Sequence, residues 1–314
     1  MCHPTPRSRL LPVFGLLIPL IAGARLAAQS LPASAAHPVR ELALVTAKMY
    51  VGPEISSSVI AMVRPGQEVA VLGYSGKFAH VFVHASGWMR NQGLLALNNP
   101  QAAQILMGAA RAREKRAERY ALQGQTARNA ALLYYRVWDD FRASPLAAEA
   151  LYRAGAIAWQ LERGEYNTPQ GKYNYMLKGR LLRKVRGNYS HTPWAARAAY
   201  LLLQRKLNCN HWSRHPHCIV KEGHVYRDYY QNYKTGPRAA AAAYQTAWHY
   251  AVAVTAYSRP GRRQKLNRAN HYRRKAEKWI RRIETLYPGS DWAGEAAFLN
   301  FRLSQQMPVG LKHL

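Results

Sequence analysis

Carboxylates are scarce in this chain. Asp and Glu together number 16, against 45 Lys and Arg, a formal charge of +29 over 314 residues. General acid–base catalysis needs a positioned acid or base, and the one adjacent acidic pair, Asp139-Asp140, sits at the end of a predicted helix. Neighbouring side chains on a helix diverge, so the pair reads as a solvated end and not as a catalytic dyad. Gly-x-Ser-x-Gly, His-Glu-x-x-His and a phosphate-cradling glycine loop are all missing, which removes the commonest hydrolase, metalloprotease and nucleotide-binding signatures. The expectation is a protein that is not an enzyme, with no catalytic residue, cofactor or metal assigned.

Long apolar runs are missing too. The longest candidate, Leu10–Ala22, holds Pro12 and Pro19 and falls well short of the ~20 residues a spanning helix needs. Arg7 and Arg9 precede it and Ala22-Gly-Ala24 follows, the charge, core and cleavage order of a secretory signal. Residues 1–24 are therefore expected to be a signal peptide, with cleavage as late as residue 28. The mature chain would be periplasmic or secreted and carry no transmembrane helix. Cysteine is also sparse, at three residues. Cys2 would leave with the signal, and Cys209 and Cys218 would remain in an oxidising compartment, where a disulfide is the preferred expectation. His211, His215 and His217 share that loop, so a thiolate–imidazole metal site and two free thiols stay open as alternatives.

After the Pro/Ala/Ser segment 30–38 the texture becomes β-prone. Glu41–Val51 alternates, and Val59–Val63, Glu68–Leu72 and Phe78–Val83 follow. Gly87-Trp88-Met89 opens a fifth strand, with Gly and Pro turns between them. Five short strands so punctuated read as a small barrel over residues 38–98. Gly52-Pro53, Gly66 ahead of Val69-Ala-Val71, Phe78, Val81 and Gly87-Trp88 fall in the order and spacing of the bacterial Src-homology-3-like domain, which this segment resembles. The resemblance implies a binding module, often for cell-wall peptides. Tyr50, Tyr74 and Trp88 are the candidate groove, because aromatics give rigid contact area with one polar end.

From residue 100 to 314 the chain is rich in Ala, Leu, Arg and Tyr, and one signature recurs four times. It begins at Phe141, Tyr189, Tyr233 and Tyr287. Each copy has Ala six residues on and another aromatic eleven on, at Tyr152, Tyr200, Tyr244 and Phe298. Self-similarity at such a period marks stacked helical units. Apolar or aromatic residues seven and four positions ahead of each copy define one helix face. Pro145, Pro193 and Pro237 suit a first helical turn, and Ser144, Thr192 and Ser290 are N-cap candidates. The spacing predicts helix pairs at 104–122 with 126–142, 146–161 with 172–188, 194–207 with 219–233 and 238–257 with 266–286, closed by 291–306. Tyr287-Pro-Gly-Ser-Asp-Trp-Ala-Gly-Glu-Ala296 and Ser144-Pro-Leu-Ala-Ala-Glu-Ala150 resemble tetratricopeptide repeats of envelope proteins. The whole is thus expected to be multidomain, a small all-β Src-homology-3-like barrel followed by an all-α tetratricopeptide-like solenoid of helix pairs.

The turns within units vary in length and would project from one rim. They hold the Cys/His loop and a basic loop with Arg259, Arg262, Arg263 and Lys265. From residue 99 onward there are 37 basic and 13 acidic residues, and a surface of that sign attracts polyanions. Export argues against nucleic acid. The partners expected are a protein held by the helical repeats, with peptidoglycan or another acidic envelope polymer as a further ligand. The expected role is an exported scaffold or adaptor. The alternatives are an accessory subunit of a peptidoglycan-remodelling enzyme and a secreted polyanion or nucleic-acid binder.

Overall fold

The structure, a computed structural model, describes residues 38–119, 124–163, 179–207, 209, 216–259 and 265–310. Seven antiparallel strands come first: β1 (Val39–Ala43), β2 (Ala47–Tyr50), β3 (Val59–Val63), β4 (Glu68–Ser75), β5 (Phe78–Phe82), β6 (Ser86–Arg90) and β7 (Leu94–Ala96). They form one sheet in the order β3-β2-β6-β5-β4-β1-β7. Five strands were expected. The alternating run Glu41–Val51 is two strands because the chain bends at residues 44–46. Ala43 closes its ladder on Gln67 and Gly66, and Leu44 donates to Gly93 O. β1 then pairs with β4 and β7, whereas β2 pairs with β3 and β6. Alternation cannot reveal such a break, since both halves keep the period of two. Val69 and Val71, Ala79 and Val81, and Met49 and Met89 supply the inner face of this sheet.

Nine helices follow among the described residues: α1 (Ala102–Arg119), α2 (Gly124–Asp140), α3 (Ala147–Glu162), α4 (Arg180–Asn188), α5 (Pro193–Leu203), α6 (Pro216–Asn232), α7 (Ala239–Tyr257), α8 (Leu266–Leu286) and α9 (Asp291–Ser304). The expected start of the fourth helix, residues 172–178, lies outside the described residues. Residues ahead of each signature face the core as their spacing requires. Tyr134 and Val137, Leu182 and Val185, and Ile280 and Ile283 are all fully buried, and ahead of the third copy Tyr229 is buried and Tyr226 half-buried.

The signature repeats the same three backbone hydrogen bonds four times. Its first aromatic donates its N–H to the carbonyl four residues back, at Val137, Val185, Tyr229 and Ile283. Its carbonyl accepts from the residue three on, at Ser144, Thr192, Gly236 and Ser290. That residue's carbonyl accepts in turn from the alanine at plus six, at Ala147, Ala195, Ala239 and Ala293. This chain of backbone bonds satisfies the last carbonyls of one helix and the first amides of the next. Thr192 caps α5 through its side chain, accepting from Ala195 N, with Pro193 at the first helical position. Ser290 stands at the cap position of α9, but its hydroxyl donates to Tyr287 O instead. Ser144 precedes the cap and accepts from Leu146 N.

Sheet and helices share a core. Leu42 of β1 and Leu95 of β7 pack in one cluster with residues of α1 to α4. Arg113 of α1 donates to Leu44 O, and Arg136 of α2 donates to Gly66 O at 2.8 Å while facing Glu68 at 3.7 Å. A second helical core begins at Ala199 and runs to Val309. The division falls within α5, where Ala198 belongs to one core and Ala199 to the other. The expected pairing of 194–207 with 219–233 is accordingly weak. α5 stops at Leu203 in a 3-10 turn, and α6 packs chiefly along α7.

Two glycines test this packing. A Cβ on Gly155 of α3 would stand 3.0–3.2 Å from Leu182 and Leu181 of α4, including the Leu182 backbone nitrogen, whereas one on Gly108 of α1 would meet nothing within 4 Å. Gly155→Leu is expected to cost about 1–3 kcal/mol by overpacking, while Gly108→Ala should gain about 0.5–1 kcal/mol from helix propensity. Urea unfolding of the two variants checks the signs. A neutral Gly155→Leu would contradict the close crossing of α3 and α4.

Candidate functional site

Cross-strand pairing sets Tyr50 of β2 opposite Trp88 of β6, and Trp88 opposite His80 of β5. The His80 and Trp88 rings stack at 4.6 Å between centroids, inclined by 17°. His80 Nε2 shares a 2.7 Å hydrogen bond with Ser86 Oγ. Phe78 meets Tyr50 edge-on at 6.2 Å. Trp88 is half-buried and stands apart from the sheet's inner cluster. Gly87 must be glycine for the row to close, because a Cβ there would lie 2.7 Å from Met49 Cγ and 3.0 Å from Tyr50 O. His80 and Phe78 belong to this face but were not among the expected groove residues. Their i, i+2 spacing along β5 is the signal that could have found them.

Tyr74 does not join them. The register of β4 on β5 shifts between Val71 and Gly73, placing Tyr74 opposite Ala79 instead of Phe78. A one-residue slip moves a side chain to the other face. Tyr74 is 58% exposed, and its hydroxyl donates to Glu41 Oε1 at 2.9 Å. Burial and then that bond hold its phenol above the usual value.

Tyr50 also lines a cavity of about 510 Å³ at the end of β2, together with Lys48, Ile55, Arg90 and Gln92. The volume falls inside the ~300–1,000 Å³ common for ligand sites. Both charged lining residues are cations, so the cavity favours an anionic group on an otherwise modest apolar body.

The expected basic rim is described in part. Arg262 and Arg263 lie outside the described residues. Arg259 follows the end of α7, and exposed Lys265 precedes α8 beside a shallow cavity of about 340 Å³ that Arg268 also lines. The broader cationic surface is the outer face of α8, where Arg274, Lys278 and Arg281 are exposed. Burial, then Lys275 and Arg274, hold the His271 imidazole below the ordinary value. Individual cations elsewhere are bonded within the scaffold. Arg111 bonds Glu149 at 3.0 Å, and Arg153 bridges Glu149 and Glu114 at 2.7 and 2.8 Å. The pair Asp139 and Asp140 faces two separate cations, Arg142 at 3.1 Å and Arg136 at 3.6 Å.

In the Cys/His loop the structure joins Cys209 to Cys218 by a disulfide, with Cα atoms 5.6 Å apart. Cys209 N donates to Glu222 Oε1 at 2.7 Å. Glu222 is buried on α6 and faces His249 Nε2 of α7 at 3.5 Å. His249 in turn holds Gln245 O through Nδ1 at 2.6 Å. The loop is thereby moored to the α6–α7 core. His211 and His215 lie outside the described residues, and His217 is exposed. Among the described residues no helix is long and apolar enough to cross a membrane. No protein-family model and no curated protein matches this chain.

Proposed function

We propose that this chain is an exported, non-catalytic adaptor of the cell envelope. The β segment, read as a Src-homology-3-like barrel, binds a cell-wall or peptide ligand. The helices, read as a tetratricopeptide-like solenoid, hold a protein partner or an acidic polymer. The observation that carries the reading is the cavity at the end of β2, whose lining Tyr50 shares with Lys48 and Arg90 while pairing across the sheet with Trp88 of the Trp88–His80 stack. One aromatic edge with two cations suits a small anionic ligand such as a carboxylate-bearing wall peptide. The exposed cations of α8 support a second, polymeric contact.

The test is retention of the full chain on purified peptidoglycan. Lys48→Glu combined with Arg90→Glu is expected to weaken retention by roughly tenfold or more, since like charge at a binding surface repels an anionic partner. Trp88→Ala should weaken it as well. Neither change touches the sheet's inner cluster, so the unfolding midpoint should barely move. Unaltered retention in both variants would remove the β segment from the reading. Tight binding to DNA with a steep salt slope, and none to peptidoglycan, would instead favour the polyanion binder.

A further inference from the structure

The four signatures allow the molecule to be compared with itself. α2, α3 and α4 surround the first and second copies as α6, α7 and α8 surround the third and fourth. Counting from the signature starts, Trp138 corresponds to Tyr230, Lys184 to Arg282 and Arg180 to Lys278. The geometry agrees with this count. Lys184 Nζ lies 4.7 Å from the Trp138 ring, and the Arg282 guanidinium 5.6 Å from the Tyr230 ring.

At the centre the two halves differ. Ala158 of α3 corresponds to Tyr250 of α7, and Leu181 of α4 to Trp279 of α8. In the later unit Tyr250 is buried against His224 of α6 and Tyr272 of α8, and Trp279 packs edge-on against Tyr230 at 5.0 Å. In the earlier unit Ala158 and Leu181 leave a cavity of about 350 Å³. Its apolar lining includes Leu132 and Tyr135 of α2, Ala154, Ala158 and Leu161 of α3, and Leu181 of α4. Among the described residues its charged lining is Arg128, Arg180 and Lys184, with no carboxylate.

We propose that this cavity between α2, α3 and α4 binds a single acyl chain that carries an anionic headgroup. Ala158 leaves room for an apolar chain where the sister unit places an aromatic side chain, and Arg180 and Lys184 meet the headgroup. The volume lies at the lower end of the ~300–1,000 Å³ of small-molecule sites. The walls are helix sides, whose backbone groups are bonded within their own helices. A peptide entering here would leave its own amides unpaired at a substantial cost, whereas an acyl chain has none to satisfy. The site is separate from the cavity at the end of β2 and does not depend on it.

The experiment is calorimetric titration of the full chain below the micelle concentration of each probe. Dodecanoate and dodecyl phosphate carry the anionic head, dodecyl maltoside a neutral one and dodecyltrimethylammonium a cationic one. Both anionic probes should bind one to one, with the tighter identifying a fatty-acid or a phospholipid-derived ligand. The neutral and cationic probes should bind more than about tenfold more weakly, as expected for a headgroup held by charge. Ala158→Tyr copies the sister unit and should abolish binding. If that variant does not fold, Leu181→Trp fills the same cavity and Arg180→Glu, at an exposed position, repels the headgroup. Either of these should weaken dodecanoate by more than about tenfold, the effect of a blocked cavity or a reversed contact charge. Equal affinity for all headgroups, many binding equivalents per chain, or binding that survives Leu181→Trp and Arg180→Glu would overturn the proposal.

Discussion

Tyr134→Ala should lower stability by about 3–5 kcal/mol, the cost of emptying a core aromatic position. For a body of this size that is a fall in unfolding midpoint on the order of 10 °C. Tyr134 is fully buried among α1, α2 and α3. Its hydroxyl donates to Glu114 Oε2 at 2.5 Å, and the same oxygen accepts from Arg153 at 2.8 Å. Burial, then the bond to Glu114, push its phenol far above the ordinary range, so it stays neutral and a donor. Arg153 also binds Glu149, which accepts from Arg111 as well. Burial alone would raise the Glu149 carboxyl, but the two guanidinium bonds outweigh it and hold it below its usual value. Tyr134→Phe is the control. It keeps the ring and leaves Glu114 bonded to Arg153, so it should cost only about 1 kcal/mol. Thermal unfolding followed by circular dichroism separates the two. A midpoint change under about 3 °C for Tyr134→Ala, roughly 1 kcal/mol, would mean that this core is not where the fold is held.

Replacing both Cys209 and Cys218 with Ser is expected to cost about 2–3 kcal/mol in the chain-entropy account of a short closed loop. The midpoint should fall by roughly 4–12 °C. The loop is moored at its first cysteine through the backbone bond to buried Glu222, and at its second by the opening turn of α6. Dithiothreitol should lower the midpoint of the parent chain by a similar amount and leave the double variant unchanged. A parent chain indifferent to reductant would show that the mooring at Glu222, and not the covalent link, holds the loop.

The helical half was legible because its information is local. A signature of aromatic, plus-six alanine and plus-eleven aromatic specifies a helix end, a hydrogen-bonded turn and a helix start within twelve residues. Each of those depends on backbone bonds between near neighbours. The buried faces ahead of each copy follow from the 3.6-residue period, and Val137, Val185 and Ile283 lie where that period puts them. Helix starts were read to within about two residues at α2, α3, α5 and α7, as the proline and cap chemistry allows.

Long-range register was not legible. The split of Glu41–Val51 into β1 and β2 depends on which partner strands each half meets. The displacement of Tyr74 from the row of Tyr50 and Trp88 depends on a bulge between Val71 and Gly73. A bulge leaves the residue alternation of its own strand unremarkable, so only pairing exposes it. Charge was misleading in a similar way. The excess of cations promised an open basic surface, but Arg111 is tied to Glu149 on α3 and Arg113 to a carbonyl of the sheet. The cavity at Ala158 was invisible because an alanine in a helix announces close packing as readily as a void. Only the comparison with Tyr250, at the same distance from its own signature, tells the two apart.

The sequence by itself determined the order of strands before helices, the positions of the turns between helical units and the faces those helices bury, because periodicity and capping act over a few residues. The tertiary structure alone decided which aromatics share a face, which cations line each cavity and where two equivalent helix triplets carry different side chains at their centre. Those properties arise from pairing and packing between separate elements, and no pattern within one element encodes them.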